Sequence, residues 1–130
     1  MKISCIQENL KQGLNIVSNI TSKNVNLPIL NNVLIQVKSN IITLSATNLE
    51  IGITNTIRGK IEKEGSFTID AKLFSDYINL LPRERIDIEL KDNYVSVSCN
   101  NNKTKIKTKI IYKSKVLTIF IIKNLIITII

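Results

Sequence analysis

The chain contains no histidine, and that single absence excludes more chemistry than any residue present. A Ser-His-Asp triad, a Cys-His dyad and a histidine-ligated metal centre all require an imidazole. The two cysteines, Cys5 and Cys99, lack CxxC spacing and a third thiol, so neither a zinc site nor a disulfide framework follows. Both fall in strand-like stretches and read as packed thiols rather than nucleophiles. No apolar leader follows the start: Met1-Lys2-Ile3-Ser4-Cys5-Ile6-Gln7-Glu8 is polar within a few residues. Free thiols without an export signal fit a reducing, cytoplasmic location. No cofactor or metal is expected. Prolines number only two, and both punctuate: Pro28 closes a loop and Pro82 ends a helix.

What remains is a chain of 130 residues, 44% hydrophobic and 22% charged, enough for one buried core and too short for two. Its net charge of +8 is unevenly placed. Residues 1–108 hold 14 basic against 10 acidic side chains, while residues 109–130 add Lys109, Lys113, Lys115 and Lys123 with no acid. The body is therefore only mildly basic, which implies weak, sequence-blind attraction to polyanions rather than a dense binding patch.

Periodicity divides residues 1–108 into strands and two helices. Residues 1–6 alternate as a strand. Leu10, Leu14, Val17 and Ile20 then fall on one helical face, opposite Lys11, Asn15 and Ser18. After a polar loop over 21–26 come strand-like runs at 33–37, 41–45 and 51–57, with Lys38-Ser39-Asn40 as a tight hairpin. Residues 66–69 alternate again, and Asp70 offers an N-cap oxygen to a second helix. There Phe74, Tyr77, Ile78 and Leu81 form the apolar face, opposite Lys72, Ser75, Asp76 and Asn79. Strands follow at 86–90, 94–98 and 103–107, with Asp92-Asn93 and Asn100-Asn101-Asn102 as turns.

Strand, helix and three strands thus occur twice, a structural duplication of about 65 residues. The expected fold is α+β, with two helices side by side on antiparallel sheets. Their outer faces form one polar, lightly basic surface interrupted only by Glu8 and Asp76.

Several stretches then resemble one family, in matching order and spacing. They are Met1-Lys2-Ile3 with the first helix, Leu27-Pro28-Ile29-Leu30-Asn31-Asn32-Val33-Leu34-Ile35, and Ala46-Thr47-Asn48-Leu49-Glu50-Ile51. Phe67-Thr68-Ile69-Asp70-Ala71-Lys72-Leu73-Phe74, Leu80-Leu81-Pro82 and Lys103-Thr104-Lys105-Ile106-Lys107 continue the series. Over about residues 1–108 the chain resembles the N-terminal domain of the bacterial DNA polymerase III beta subunit, the sliding clamp. Asn48 stands where that family more often has Asp.

The resemblance implies a DNA-clamp domain. In that family three such domains make a subunit, and two subunits close head to tail around duplex DNA, with helices lining the hole. The clamp performs no catalysis; it tethers the polymerase. By family position, Lys23 and Asn24 in the loop after the first helix and Lys72 at the start of the second are expected phosphate neighbours. Lys11 and Asn79 join them from helix geometry. The strand Lys103–Lys107 corresponds to the family's subunit-interface edge, with Ile106 entering the partner and Lys103, Lys105 and Lys107 flanking it. Those lysines also protect an edge against aggregation. Polymerase and clamp loader are partners of the full-length family, whose peptide-binding cleft lies mainly on a third domain. No membrane role is expected: as a helix the last fifteen residues would span about 22 Å, short of a bilayer core of about 30 Å, with Lys123 in mid-span.

Beyond Thr108 the resemblance stops, so residues 109–130 are expected to be a separate basic and apolar tail. That departure points to a disrupted or shifted reading frame and a truncated product, and the Ile, Asn and Lys bias suits an AT-rich coding region; the other reading is a single-domain protein whose tail adds a strand to its own sheet or to a neighbour's. Two further functions compete with the clamp: a structural or oligomerisation module without a nucleic-acid role, and a metal-dependent nuclease. The nuclease would need a carboxylate cluster drawn from Glu62 and Glu64, or from Asp87, Glu89 and Asp92, which read better as solvated strand faces.

Overall fold

The computed structural model describes residues 1–21, 28–48, 50–108 and 126–129. The first half runs β1 (Lys2–Ile6), α1 (Gln7–Ser18), a single 3-10 turn (Pro28–Asn31), β2 (Asn32–Lys38), β3 (Ile41–Thr47) and β4 (Gly52–Ile57). After β5 (Lys60–Lys63), the second half runs β6 (Gly65–Asp70), α2 (Ala71–Leu80), β7 (Arg85–Leu90), β8 (Tyr94–Cys99) and β9 (Asn102–Lys107). A last strand, β10, covers Ile126–Ile129.

The duplication is real, and its halves are interlocked. One sheet has the order β5-β1-β7-β8-β9 and the other β10-β4-β3-β2-β6. The opening strand of each half therefore pairs with the strand that follows the helix of the other half. Ile3 faces Ile88 and Cys5 faces Ile86 in one exchange; Val33 faces Ile69 and Ile35 faces Phe67 in the other. This pseudo-two-fold relates β1 to β6, α1 to α2, and β2, β3 and β4 to β7, β8 and β9.

Local chemistry explains each element. The helices begin at equivalent points but are started differently. Asp70 Oδ1 accepts the Leu73 N–H at 2.9 Å, the expected N-cap. Ile6 supplies no such oxygen to α1; instead the Gln7 N–H donates to the Glu84 carbonyl at 2.9 Å. Pro82 follows the end of α2. The β2–β3 hairpin turns through Ser39 and Asn40, both with positive φ (55° and 62°), the left-handed pair that matches strand twist. Asn tolerates that region better than Ser, so Ser39→Gly is expected to raise the unfolding free energy by about 1 kcal/mol; a urea titration would measure it.

β5 was not anticipated. Lys60-Ile61-Glu62-Lys63 has one apolar residue, too few to show alternation. It continues β4 after a break at Arg58-Gly59 and changes sheet, pairing with β1. Gly59 permits the crossing: a Cβ there would sit 2.7 Å from the Ser4 carbonyl oxygen, and backbone cannot retreat as a side chain can.

α1 packs on β1, β3 and β4, α2 packs on β2 and β6, and the helices pack on each other. Leu10, Leu14 and Val17 from α1 and Phe74 and Ile78 from α2 are fully buried with Ile3, Ile35, Leu44, Ile69, Ile86 and Ile88. Each such side chain contributes about 1.5–3 kcal/mol of burial. No helix among the described residues is long and apolar enough to cross a membrane.

Candidate nucleic-acid interface

The helices run antiparallel. Gln7, at the first turn of α1, donates its side-chain amide to the Ile78 carbonyl near the end of α2 at 2.7 Å, and Ser75 Oγ donates to Asn15 Oδ1 at 3.3 Å. With one face of each helix in the core, the opposite faces share one surface. α1 contributes Glu8, Gln12, Asn15 and Asn19, and α2 contributes Lys72, Asp76 and Asn79, all exposed.

Lys72 and Asn79 thus project where the sequence predicts, on the common helical surface. Lys11 is half-buried on the flank of α1 that faces α2. Under the pseudo-two-fold it matches Ser75 of α2. Ser75 itself is a correction. Expected on the polar face, it is buried in the helix–helix seam at 7% exposure, its hydroxyl held by Asn15. Lys23 and Asn24 lie outside the described residues.

The charge on this surface also differs from expectation. Lys11 and Lys72 are matched by Glu8 and Asp76, so the described helical face is electrically even rather than lightly basic. Leu73 and Leu80, 56% and 84% exposed, add apolar area beside it.

A groove of about 450 Å³ opens beside the first turn of α1, lined by Ile6, Asn9, Arg58, Lys60 and Arg85 among others. Its residues come from four separate segments, so no sequence spacing announces it. Arg85 is partly committed there: it pairs with Asp87 at 3.0 Å and donates to Ser4 Oγ at 3.1 Å. The Ser4 hydroxyl donates to Asp87 Oδ1 at 2.6 Å and, with the Arg85 guanidinium, holds the Asp87 carboxyl below its ordinary range. Cys5 lines the floor of the groove, and burial pushes its thiol up to about 12, with the Asp87 charge adding to the effect. It is a poor nucleophile in that state.

Three of the five carboxylates that a nuclease would draw on are engaged by a cation, and Glu64 accepts the Ser39 backbone N–H at 3.1 Å. Glu62 pairs with Lys2 at 3.3 Å, Asp87 with Arg85, and Glu89 with Lys91 at 2.7 Å. Among the described residues no three His, Cys, Asp or Glu side chains converge on a metal-sized space.

β9 ends the first sheet, and among the described residues nothing pairs with its outer edge. Lys103, Lys105 and Lys107 are exposed along it, and the Lys105 ammonium lies 5.1 Å from the Tyr94 ring centroid. Ile106 points the opposite way, into the domain's own core at 8% exposure. It has almost no free apolar surface to offer a partner in this conformation, because strand alternation that exposes three lysines turns the residues between them inward.

Two interlocked strand–helix–three-strand units, carrying paired helices on two sheets, define a DNA-clamp domain. The family described as DNA polymerase III beta subunit, N-terminal domain, matches residues 1–111, and the chain belongs to that family. The Beta sliding clamp of Synechococcus elongatus is 34% identical over 95 residues, which cover 72% of this chain and 25% of that protein. The Beta sliding clamp of Buchnera aphidicola from Rhopalosiphum padi is 32% identical over 109 residues, covering 78% and 28%. Among solved structures, the Helicobacter pylori beta clamp bound to a DNA ligase peptide superposes with a TM-score of 0.77 at 27% identity, over 83% of this chain and 30% of that one. The chain thus spans about a quarter of the length of these curated relatives.

Proposed function

We propose that this chain serves as a DNA-facing sliding-clamp domain: a non-catalytic module of the replicative polymerase apparatus that touches duplex DNA weakly and without reading its sequence, in the cytoplasm. The carrying observation is the family match over residues 1–111 on a frame that places two helices side by side with their polar faces outward. An even-charged surface suits movement along a polyanion, since phosphates are attracted at scattered points and held at none. Lys72, Lys11 and Asn79 make the contacts from the helices, joined by Lys23 and Asn24. The unpaired β9 edge, with Lys103, Lys105 and Lys107, pairs with another clamp subunit through its backbone, while Ile106 packs behind the strand. Residues 1–108 form the clamp-like unit and 109–130 a distinct tail, of frame-shifted origin. Reading the coding sequence in all three frames tests that origin; absence of a clamp-like linker in another frame would refute it.

The complete relatives are about four times longer, so polymerase and clamp loader are assigned to the assembled clamp rather than to this domain alone. The unit formed by residues 1–108 supplies two helices among the described residues and by itself is expected to confer little processivity; a stable ring of this unit on DNA seen by electron microscopy would contradict this. Gel shifts on unrelated duplexes over a salt series test the DNA contact. Equal, salt-sensitive binding is expected, with the log–log slope reduced by about 1 for each of Lys11→Gln and Lys72→Gln. Absence of salt-dependent binding would favour the structural or oligomerisation module instead.

A further inference from the structure

Apart from β10, four strands bound the two sheets: β5 and β9 on the first, β6 and β4 on the second. A boundary strand presents a row of unpaired N–H and C=O groups, and charged side chains are the usual guard against unwanted pairing. β5 carries Lys60, Glu62 and Lys63, and β9 carries Lys103, Lys105 and Lys107; β6 has one charge, Asp70 at its end, whose carboxylate caps α2. β4, Gly52-Ile53-Thr54-Asn55-Thr56-Ile57, carries no charge at all, and four of its six residues are β-branched. That composition favours strand pairing and leaves nothing to discourage it.

This unguarded edge is the one that is covered. β10 lies along it in parallel, with Ile126 opposite Gly52, Ile127 opposite Ile53, Thr128 opposite Thr54 and Ile129 opposite Asn55. The covering segment is itself uncharged and wholly β-branched. The other strand pairs described are antiparallel.

We propose that the outer edge of β4 is a strand-docking surface occupied by the chain's own segment Ile126–Ile129, and that displacing this segment lets the edge pair with a second copy of the chain. The pseudo-two-fold makes β4 the counterpart of β9, so the domain treats equivalent edges in opposite ways. One is open and guarded by lysines; the other is uncharged and closed from within the same polypeptide. The assignment is independent of any contact with DNA.

In the unmodified chain, hydrogen exchange should find the β4 amides that point away from β3 at least about tenfold slower than unpaired amides. Exchange at the unpaired rate would overturn the proposal. Neighbouring N–H groups along β10 alternate in direction, so Ile127→Pro with Thr128→Pro removes one donor facing β4 whichever parity holds. Analytical ultracentrifugation of the full-length double variant should show at least a doubling of the mass found for the parent. Adding Thr56→Lys, a charge on the edge itself, should return the parental mass; failure to return it would trace the association to the loosened tail and refute the β4 assignment. An unchanged mass in the double variant, or a parental dimer that falls to monomer, would likewise overturn it, the latter because the segment would then be exchanged between copies.

Discussion

Phe74→Ala is expected to lower the unfolding free energy by about 3–5 kcal/mol. Phe74 is fully buried on the inner face of α2, between Ala71 and Ile78, in the core cluster that residues of both sheets share. Removing its ring leaves a cavity that interlocked sheets cannot close, because each sheet is anchored by a strand from the other half. Since small domains are stable by only about 5–15 kcal/mol, the loss is a large share of the total. The same interlock makes a second expectation firm. Unfolding in urea, followed by far-ultraviolet circular dichroism and by tyrosine fluorescence, should give coincident transitions for parent and variant. Separate transitions for the two halves would contradict the exchanged-strand architecture.

Alkaline pH is expected to have an effect of similar size. The Cys5 thiol is pushed from 9.0 to about 12, chiefly by burial, and burial also pushes Cys99 upward. A raised value in the fold means that the unfolded chain releases its proton first. Stability from keeping Cys5 neutral is therefore complete below pH 9 and is lost as pH rises toward 12. Over that range the loss reaches about 4 kcal/mol, at about 1.4 kcal/mol per pH unit. Unfolding titrations at pH 8, 10 and 11 would measure it, and Cys5→Ala should flatten the dependence. Below pH 9, thiol reagents should modify Cys5 about a thousandfold more slowly than an exposed cysteine, in proportion to its thiolate fraction. Asp87 works in the opposite sense: its depressed carboxyl adds stability at neutral pH that disappears as acid protonates it. Its side chain is half exposed, so that contribution stays below about 1 kcal/mol.

Both helices were legible in the sequence because a 3.6-residue period repeats over ten or more positions, and Asp70 and Pro82 mark the limits of α2. The hairpin at Ser39-Asn40 was legible for the same kind of local reason. β5 was not, because a solvated edge strand with a single apolar residue has no pattern to show. Ser75 was misplaced because a small hydroxyl on a helix looks the same whether it meets water or a neighbouring helix; only the antiparallel seam decides. The motif around Asn48 turns out to be architectural. Asn48 Oδ1 accepts the N–H groups of Glu50 and Ile51, both at 2.9 Å, and Thr47 Oγ1 donates to the Ile51 carbonyl at 2.8 Å. An aspartate would accept the same two bonds, so the departure from the family's usual residue leaves the turn intact. On the shared helical surface, spacing placed Lys72 and Asn79 among the exposed residues of α2. Glu8 and Asp76 were also legible there; what the sequence did not show is that Lys11 is half-buried rather than fully exposed on that surface.

The exchange of opening strands also bears on how the polypeptide acquires its shape during synthesis. The segment made first meets β5 at residues 60–63 and waits for its second partner at residues 85–90, so the first sheet cannot be completed until most of the domain has left the ribosome. Contacts that distant in sequence close slowly. A nascent chain halted just before that point holds both helices and a paired β4-β3-β2-β6 sheet, but β1 with one edge still open, a form that chaperones and proteases would find readily.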